Sequence, residues 1–334
     1  MVAHERRLGL AVAQVGGINL SDTRSGVVSR LIEMMREAKA RGASVVVYPE
    51  LTLTTFFPRH WVEDDDELDQ FFERQMPNEH VQPLFDCAEQ LRVGFYLGYA
   101  ELTPDHRRFN TSILVDPRGR IVGKYRKVHL PGHADHKPDE PAQHLEKRYF
   151  EVGDLGFGVF EFMRCKAGMC ICNDRRWPEV YRVLALQSAD LVLLGYNTPS
   201  RVVGWRDQPH QWMFTHLLSI QSGAYQNSVW VAAAAKCGLE DGAHMIGGSA
   251  IVAPSGEVVA RAVTEEDEVV TADIDLGMAD AYRQSVFNFA EHRQPLNYRL
   301  IVDRVGRGEP LPSPTSDEIA RDRETAPSSP AISV

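Results

Sequence analysis

The alternation in the first fifty residues restricts the fold more than any other feature of the chain. Leu8–Val15 is an apolar run of strand length. Asp22 or Thr23 can cap a helix after it, and Val27, Val28, Leu31, Met34, Met35 and Ala38 then recur at helical spacing until Gly42 stops the pattern. Ala43–Tyr48 is short and β-branched and ends at Pro49. Such a strand–helix–strand unit belongs to an α/β sheet whose strands are buried.

The pattern continues. A helix is expected over Val81–Leu91 and a strand over Val93–Tyr99, followed by Arg108–Val115 and Arg120–Lys127 joined at the tight turn Asp116–Gly119. His129–Asp154 is rich in Pro, Gly, His and charge, and a connection of that length usually lines a site. Strands at Phe157–Met163 and Ala167–Ile171, a helix at Pro178–Gln187 and a strand at Asp190–Leu194 come next. Helix Gln211–Tyr225, strand Val229–Ala235 and a hairpin-like set at Ser249–Ala253, Val258–Ala262 and Val269–Ile274 close the core. Residues 1–305 read as one domain, and the alternation has the faint two-fold character of a four-layer sandwich. Residues 306–334 carry five prolines among polar residues, which predicts a disordered or loosely draped tail. The acidic run Glu63–Glu67 fits a solvated helix start.

A net charge of −10 argues against nucleic acid as a partner, although local arginines can still attract a small anion. No stretch approaches a membrane span, and the N-terminal apolar run is too short for a signal peptide. The five cysteines form no C-x-x-C pair, which speaks for reduced thiols in a cytoplasm.

Three strand ends offer chemistry. Cys172 is read as the last residue of its strand, beside the backbone N–H groups of a turn, while Cys170 points to the same face but is enclosed by Met169 and Ile171. Glu50 follows the valine run directly after Pro49, where a half-buried carboxylate is equipped to take and return a proton. Lys127 lies at the end of its strand, and an ammonium there would lower a neighbouring thiol's pKa and stabilise charge on an attacked carbonyl. Arg175 and Arg176, just beyond Cys172, can grip a carboxylate with paired donors. Acid/base, cation and nucleophile together suit acyl transfer from an amide. His129, His133, His136 and His144 have a spacing that invites metal ligation, but Pro131 and Gly132 break any helix that would align them.

These segments resemble the nitrilase superfamily of carbon–nitrogen hydrolases over about residues 7 to 304, and within it the N-carbamoyl-D-amino acid amidohydrolases (D-carbamoylases). The likeness is carried in order by Tyr48-Pro49-Glu50-Leu51, Thr54–Arg59, Phe109–Val115, Gly123–His133, His144–Phe150, Cys172–Glu179 and Gly195–Pro199. It implies an α-β-β-α sandwich that forms homodimers or homotetramers, with no metal or organic cofactor. It implies Cys172 as nucleophile, Glu50 as general base, Lys127 as oxyanion stabiliser and Glu146 as the second glutamate orienting Lys127 or the substrate. Arg175 and Arg176 fall where D-carbamoylases hold a substrate carboxylate. His129, His144, Asn173, Asn197 and Thr198 fall where they line the site. The implied reaction releases a D-amino acid, ammonia and carbon dioxide. A β-ureidopropionase, a carbamoylputrescine amidase, an L-carbamoylase or a silent carboxylate-binding member are the competing readings. The stretches Ser200–Asp207 and His136–Pro141 depart from the D-carbamoylase pattern, so the preferred side chain is open.

Overall fold

Strand β1 (Arg7–Gly16) sets the register of a first sheet in the computed structural model, which describes residues 6–140, 143–200 and 209–309. Its neighbours are β2 (Val45–Val47), parallel on one side, and β13 (Glu268–Asp275), antiparallel on the other. Beyond β2 come β3 (Gly94–Leu102), parallel, then β4 (Arg108–Val115) and β5 (Ile121–Arg126), both antiparallel. A second sheet repeats the plan. Strands β7 (Cys165–Ile171), β8 (Leu191–Tyr196) and β9 (Trp230–Glu240) are parallel. They are flanked by antiparallel β6 (Val159–Phe162) and by the pair β11 (Ala250–Val252) and β12 (Val258–Arg261). The sheets join where the end of β1 meets β9, Val15 beside Lys236 and Gly16 beside Cys237.

Both faces of each sheet are buried, and the period of two sorts the side chains. Leu10, Val12, Val45, Val47 and Tyr96 form one core with Met169, Ile171 and Leu193 between the sheets. Ala11, Ala13, Val46 and Phe95 point the other way, onto α1 (Arg24–Ala40) and α3 (Gln82–Leu91). Helices α5 (Pro178–Leu186) and α6 (Pro209–Asn227) cover the second sheet through Val180, Tyr181, Leu184, Ile220 and Ala224. The result is the expected α-β-β-α sandwich. Thr23 rather than Asp22 caps α1, its side chain accepting from Gly26 N–H at 3.2 Å. The acidic run forms α2 (Asp65–Asp69), with Asp64 accepting from Glu67 N–H.

Two features differ from the sequence reading. Strand β9 runs on to Glu240 and turns back as β10 (Ala243–Ile246). Asp241 and Gly242 both have positive φ there, so this Asp-Gly pair makes a tight hairpin turn. The mixed composition of Lys236–Ile246 hides that strand pair, although the dipeptide advertises its turn. The long connection after β5 also contains α4 (Glu146–Tyr149).

Helix α7 (Met278–Arg283) completes the first of two compact units, and the second begins at Phe289. Its described part holds two short helices, α8 (Phe289–His292) and α9 (Arg299–Asp303). Pro141, residues 201–207 and the tail from 310 lie outside the described residues. Among the described residues no helix is long and apolar enough to cross a membrane. All five cysteines are unpaired and buried.

Candidate active site

Glu50 is held where β2 runs out between the two sheets. A Cβ at Gly98 of β3 would come within 2.7 Å of Pro49 O, and one at Gly195 of β8 within 2.7 Å of Glu50 N. Glycine at both positions is what lets the Pro49–Glu50 backbone pass. The carboxylate is wholly buried. Its Oε1 accepts from Lys127 Nζ at 2.7 Å and Asn110 Nδ2 at 2.8 Å, and its Oε2 from the backbone N–H of Asn197 at 3.0 Å. Asn197 Nδ2 also donates to the carbonyl of Glu50.

Lys127 follows the last residue of β5, and its ammonium is shared between two carboxylates, with Glu146 Oε2 at 2.6 Å. Burial disfavours that charge, but Glu146 and Glu50 outweigh it and hold the pKa of Lys127 above the ordinary lysine value. Burial likewise works against the Glu146 carboxylate, and Lys127 outweighs it, so Glu146 lies below the usual range. His144 adds a contact to Glu146 Oε1 at 3.1 Å.

Cys172 does not end the strand as the sequence reading has it. Strand β7 stops at Ile171, and Cys172 opens a one-turn 3-10 helix with φ of 45°, a left-handed conformation that costs a non-glycine residue about 1–3 kcal/mol. Asp174 stabilises this elbow by accepting from Ile171 N–H at 2.9 Å, Tyr125 Oη at 2.8 Å and both the N–H and Nδ1 of His129. The Cys172 thiol faces Asn197 O at 3.3 Å, and the same residue's N–H binds Glu50. One backbone segment therefore touches both base and nucleophile. Burial pushes the thiol's pKa up, Glu50 adds to this, and Lys127 and Arg175 do not reverse it. Lys127 lowers the thiol's pKa as expected of a nearby ammonium, but burial and Glu50 outweigh it and the net shift is upward. Cys170 is sealed in the core, its thiol pushed far up by burial.

The two arginines part company. Arg175 is buried, and its guanidinium donates to Cys172 O at 2.7 Å, Thr198 Oγ1 at 2.9 Å and His216 Nδ1 at 3.1 Å. It also lies 4.4 Å from the centroid of the Tyr196 ring. Because His216 Nδ1 accepts, its Nε2–H faces Tyr196 Oη at 2.9 Å, and Tyr196 donates onward to Gly247 O. Burial, then Arg175, keeps His216 neutral. Arg176 donates to Asn173 Oδ1 at 3.0 Å and lies 5.4 Å from the centre of the Trp212 ring. No carboxylate among the described residues pairs with it. Burial, then Arg175, lowers its pKa to about 10.

Glu50, Lys127, Glu146, Cys172, Arg175, His144, Asn197 and Thr198 thus meet in one connected network. His129 and Asn173 flank the elbow and line a cleft of about 380 Å³ with Trp177 and Lys147, outside that network. Asn110, Asp174, Tyr196 and His216 are the participants the sequence reading assigned no role. His216 left a trace: it stands in the buried stripe of Trp212, Ile220 and Ala224 on α6, where an imidazole needs a partner.

A family model described as carbon–nitrogen hydrolase matches residues 9–284. A nitrilase of Pyrococcus abyssi is 33% identical over 81% of this chain and 92% of its own length. An N-carbamoylputrescine amidase of Arabidopsis thaliana is 30% identical over 86% of this chain and 93% of its own. The solved structure of a carbon–nitrogen hydrolase from Helicobacter pylori G27 aligns with a TM-score of 0.76 at 21% identity, covering 90% of this chain and 99% of that one, a likeness of fold.

Proposed function

Since this chain belongs to the carbon–nitrogen hydrolase family, the nitrilase superfamily, we propose that the amides it cleaves are N-carbamoyl amino acids. The observation that carries this reading is Arg176, a partly buried cation in the electrostatic field of Cys172 with no carboxylate partner among the described residues. Such a charge favours a substrate that brings its own carboxylate. The D preference rests on the likeness of Cys172–Glu179 to the D-carbamoylases.

In the proposed reaction Glu50 takes the proton of Cys172, and the sulfur attacks the carbamoyl carbon. Lys127, held by Glu50 and Glu146, stabilises the oxyanion with the N–H of Asn173, the second residue of the turn that Cys172 opens, where N–H groups have no acceptor within the helix. Glu50 protonates the departing ammonia and then activates water. Hydrolysis of the thioester frees Cys172 and an N-carboxy amino acid, which loses carbon dioxide. Arg175 holds the elbow and Thr198 in place, and Arg176 takes the substrate carboxylate, which divides the role first given to both.

The similarity to an N-carbamoylputrescine amidase keeps a second carbamoyl substrate in view, but that amine would meet Arg176 with like charge. The decisive assay compares N-carbamoyl-D- and L-amino acids, N-carbamoyl-β-alanine and N-carbamoylputrescine. Release of ammonia is expected fastest from the D-amino acid derivatives. Arg176→Ala should raise their KM by ~30-fold or more, the equivalent of about 2–5 kcal/mol. Preference for the putrescine derivative, or an unchanged KM in the variant, would refute the reading.

We further expect a cytoplasmic homodimer or homotetramer. Val183 and Leu186 of α5 and Phe214 and Leu218 of α6 are exposed on the outer layer, which suits self-association.

A further inference from the structure

Behind the site lies a second buried ion pair that the reaction above does not use. Lys236 and Glu240, near the end of β9, are both wholly buried, with Nζ 3.0 Å from Oε2. Charges removed from water are costly unless every donor and acceptor is engaged. Here the partners come from the segment that follows Glu50. Lys236 donates to Thr54 O, while Glu240 accepts from Phe56 N–H at 2.9 Å and Arg59 Nη2 at 2.8 Å. Ile18 N–H binds Glu240 Oε2 at 3.0 Å, and Thr55 Oγ1 binds Asp241 at 2.6 Å.

This clamp reaches the chemistry by two routes. The ring of Phe56 meets His144 edge-on at 5.5 Å, His144 contacts Glu146, and Glu146 holds Lys127. The second route is charge. Burial, and to a smaller degree Arg59, lower the pKa of Lys236, whereas Glu240 and then Glu50 support its charge, so Glu50 is a further carboxylate in its field. We propose that Lys236 and Glu240 are positioning residues of the active site, clamping Thr54–Arg59 so that His144 stays on Glu146, and that Lys236 adds a further cation to the field at Glu50. The inference deepens the reading of Glu50 as base and rests on it.

The other titratable groups facing Glu50 are Lys127 from the end of β5, Tyr96 from β3, and Cys172 and Arg176 from the elbow, with Glu146 of α4 on the far side of the Lys127 ammonium. Lys236→Met removes the donor to Thr54 O and the charge beside Glu240 together, so both routes respond to it. Removing a cation makes negative charge at the site less favourable. Two profiles test this on the full chain: kcat/KM against pH, and the pH dependence of iodoacetamide labelling of Cys172, located by mass spectrometry. Lys236→Met is expected to lower kcat by ~10-fold or more while KM changes little, and to move the acid limb of both profiles up by about half a pH unit or more. Lys236→Arg, which keeps the charge, should hold the limb near the wild-type position.

A folded Lys236→Met protein with wild-type limbs would overturn the proposal. If that variant does not fold, Lys236→Gln, which retains a donor, carries the same test, and failure of both to fold would make the pair purely structural and likewise overturn it. The labelling arm needs no substrate. A shifted labelling limb in a protein that hydrolyses no carbamoyl compound would refute the substrate reading and leave this one standing.

Discussion

Cys172 and Glu50 illustrate how a buried site keeps a nucleophile in reserve. The thiol is neutral because burial and the Glu50 charge together exceed what Lys127 and Arg175 supply. Its reactivity should therefore follow the carboxylate that takes its proton rather than a standing thiolate. Glu50→Gln keeps the shape and an acceptor but cannot take a proton. We expect it to slow iodoacetamide labelling of Cys172 by ~10-fold or more at neutral pH, because the loss of the base outweighs the easier ionisation that follows the loss of its charge. Labelling of Glu50→Gln at the wild-type rate near neutral pH would show that the thiol ionises without Glu50.

At the scale of elements, the site depends on strands that leave room for one another. The end of β2 passes between β3 and β8 only because Gly98 and Gly195 have no Cβ. In Gly98→Ala or Gly195→Ala the added methyl would meet backbone rather than a side chain that can swing away. Overpacking of this kind costs about 1–3 kcal/mol, and here the yielding part is the Glu50 backbone. Each variant should lose ~100-fold or more in kcat/KM, since a displacement of about 1 Å has that effect on a positioned group, while thermal denaturation still shows a folded protein. Full activity in either variant would mean that the close approach does not position Glu50. The elbow after β7 is just as compact: Asp174 collects four donors, and Cys172 accepts a left-handed φ so that its sulfur turns toward Asn197.

For the whole molecule, the buried charges couple activity to stability. Glu146 has its carboxyl depressed in the folded state, so its contribution is present above the ordinary carboxylate range and is lost as pH falls through the folded value. Lys127 is raised, so its contribution is present below the ordinary lysine range and is lost as pH rises through its folded value. Between those limits both act in full. Glu146→Gln removes one partner of a buried pair and should cost about 3–5 kcal/mol at neutral pH, read by chemical denaturation. The gap from wild type should narrow as the pH drops below the carboxylate range. A gap that stays constant down to strong acid would show that Glu146 contributes through packing alone.

The alternation of short apolar runs and amphipathic helices was enough to specify buried strands covered by helices, because burial and period are local properties of a sequence. Glu50, Lys127 and Cys172 were legible for a related reason: each stands where an apolar strand gives way to polar residues. What those groups touch was not legible. Asn110 is 60 positions from Glu50, His216 is 41 from Arg175, and Lys236 is 182 from Thr54. No local pattern links residues so far apart along the chain. Only the packing of β4, α6 and β9 against the strand ends brings them together, since hydrogen bonds and charges act through space whereas a burial period is written residue by residue.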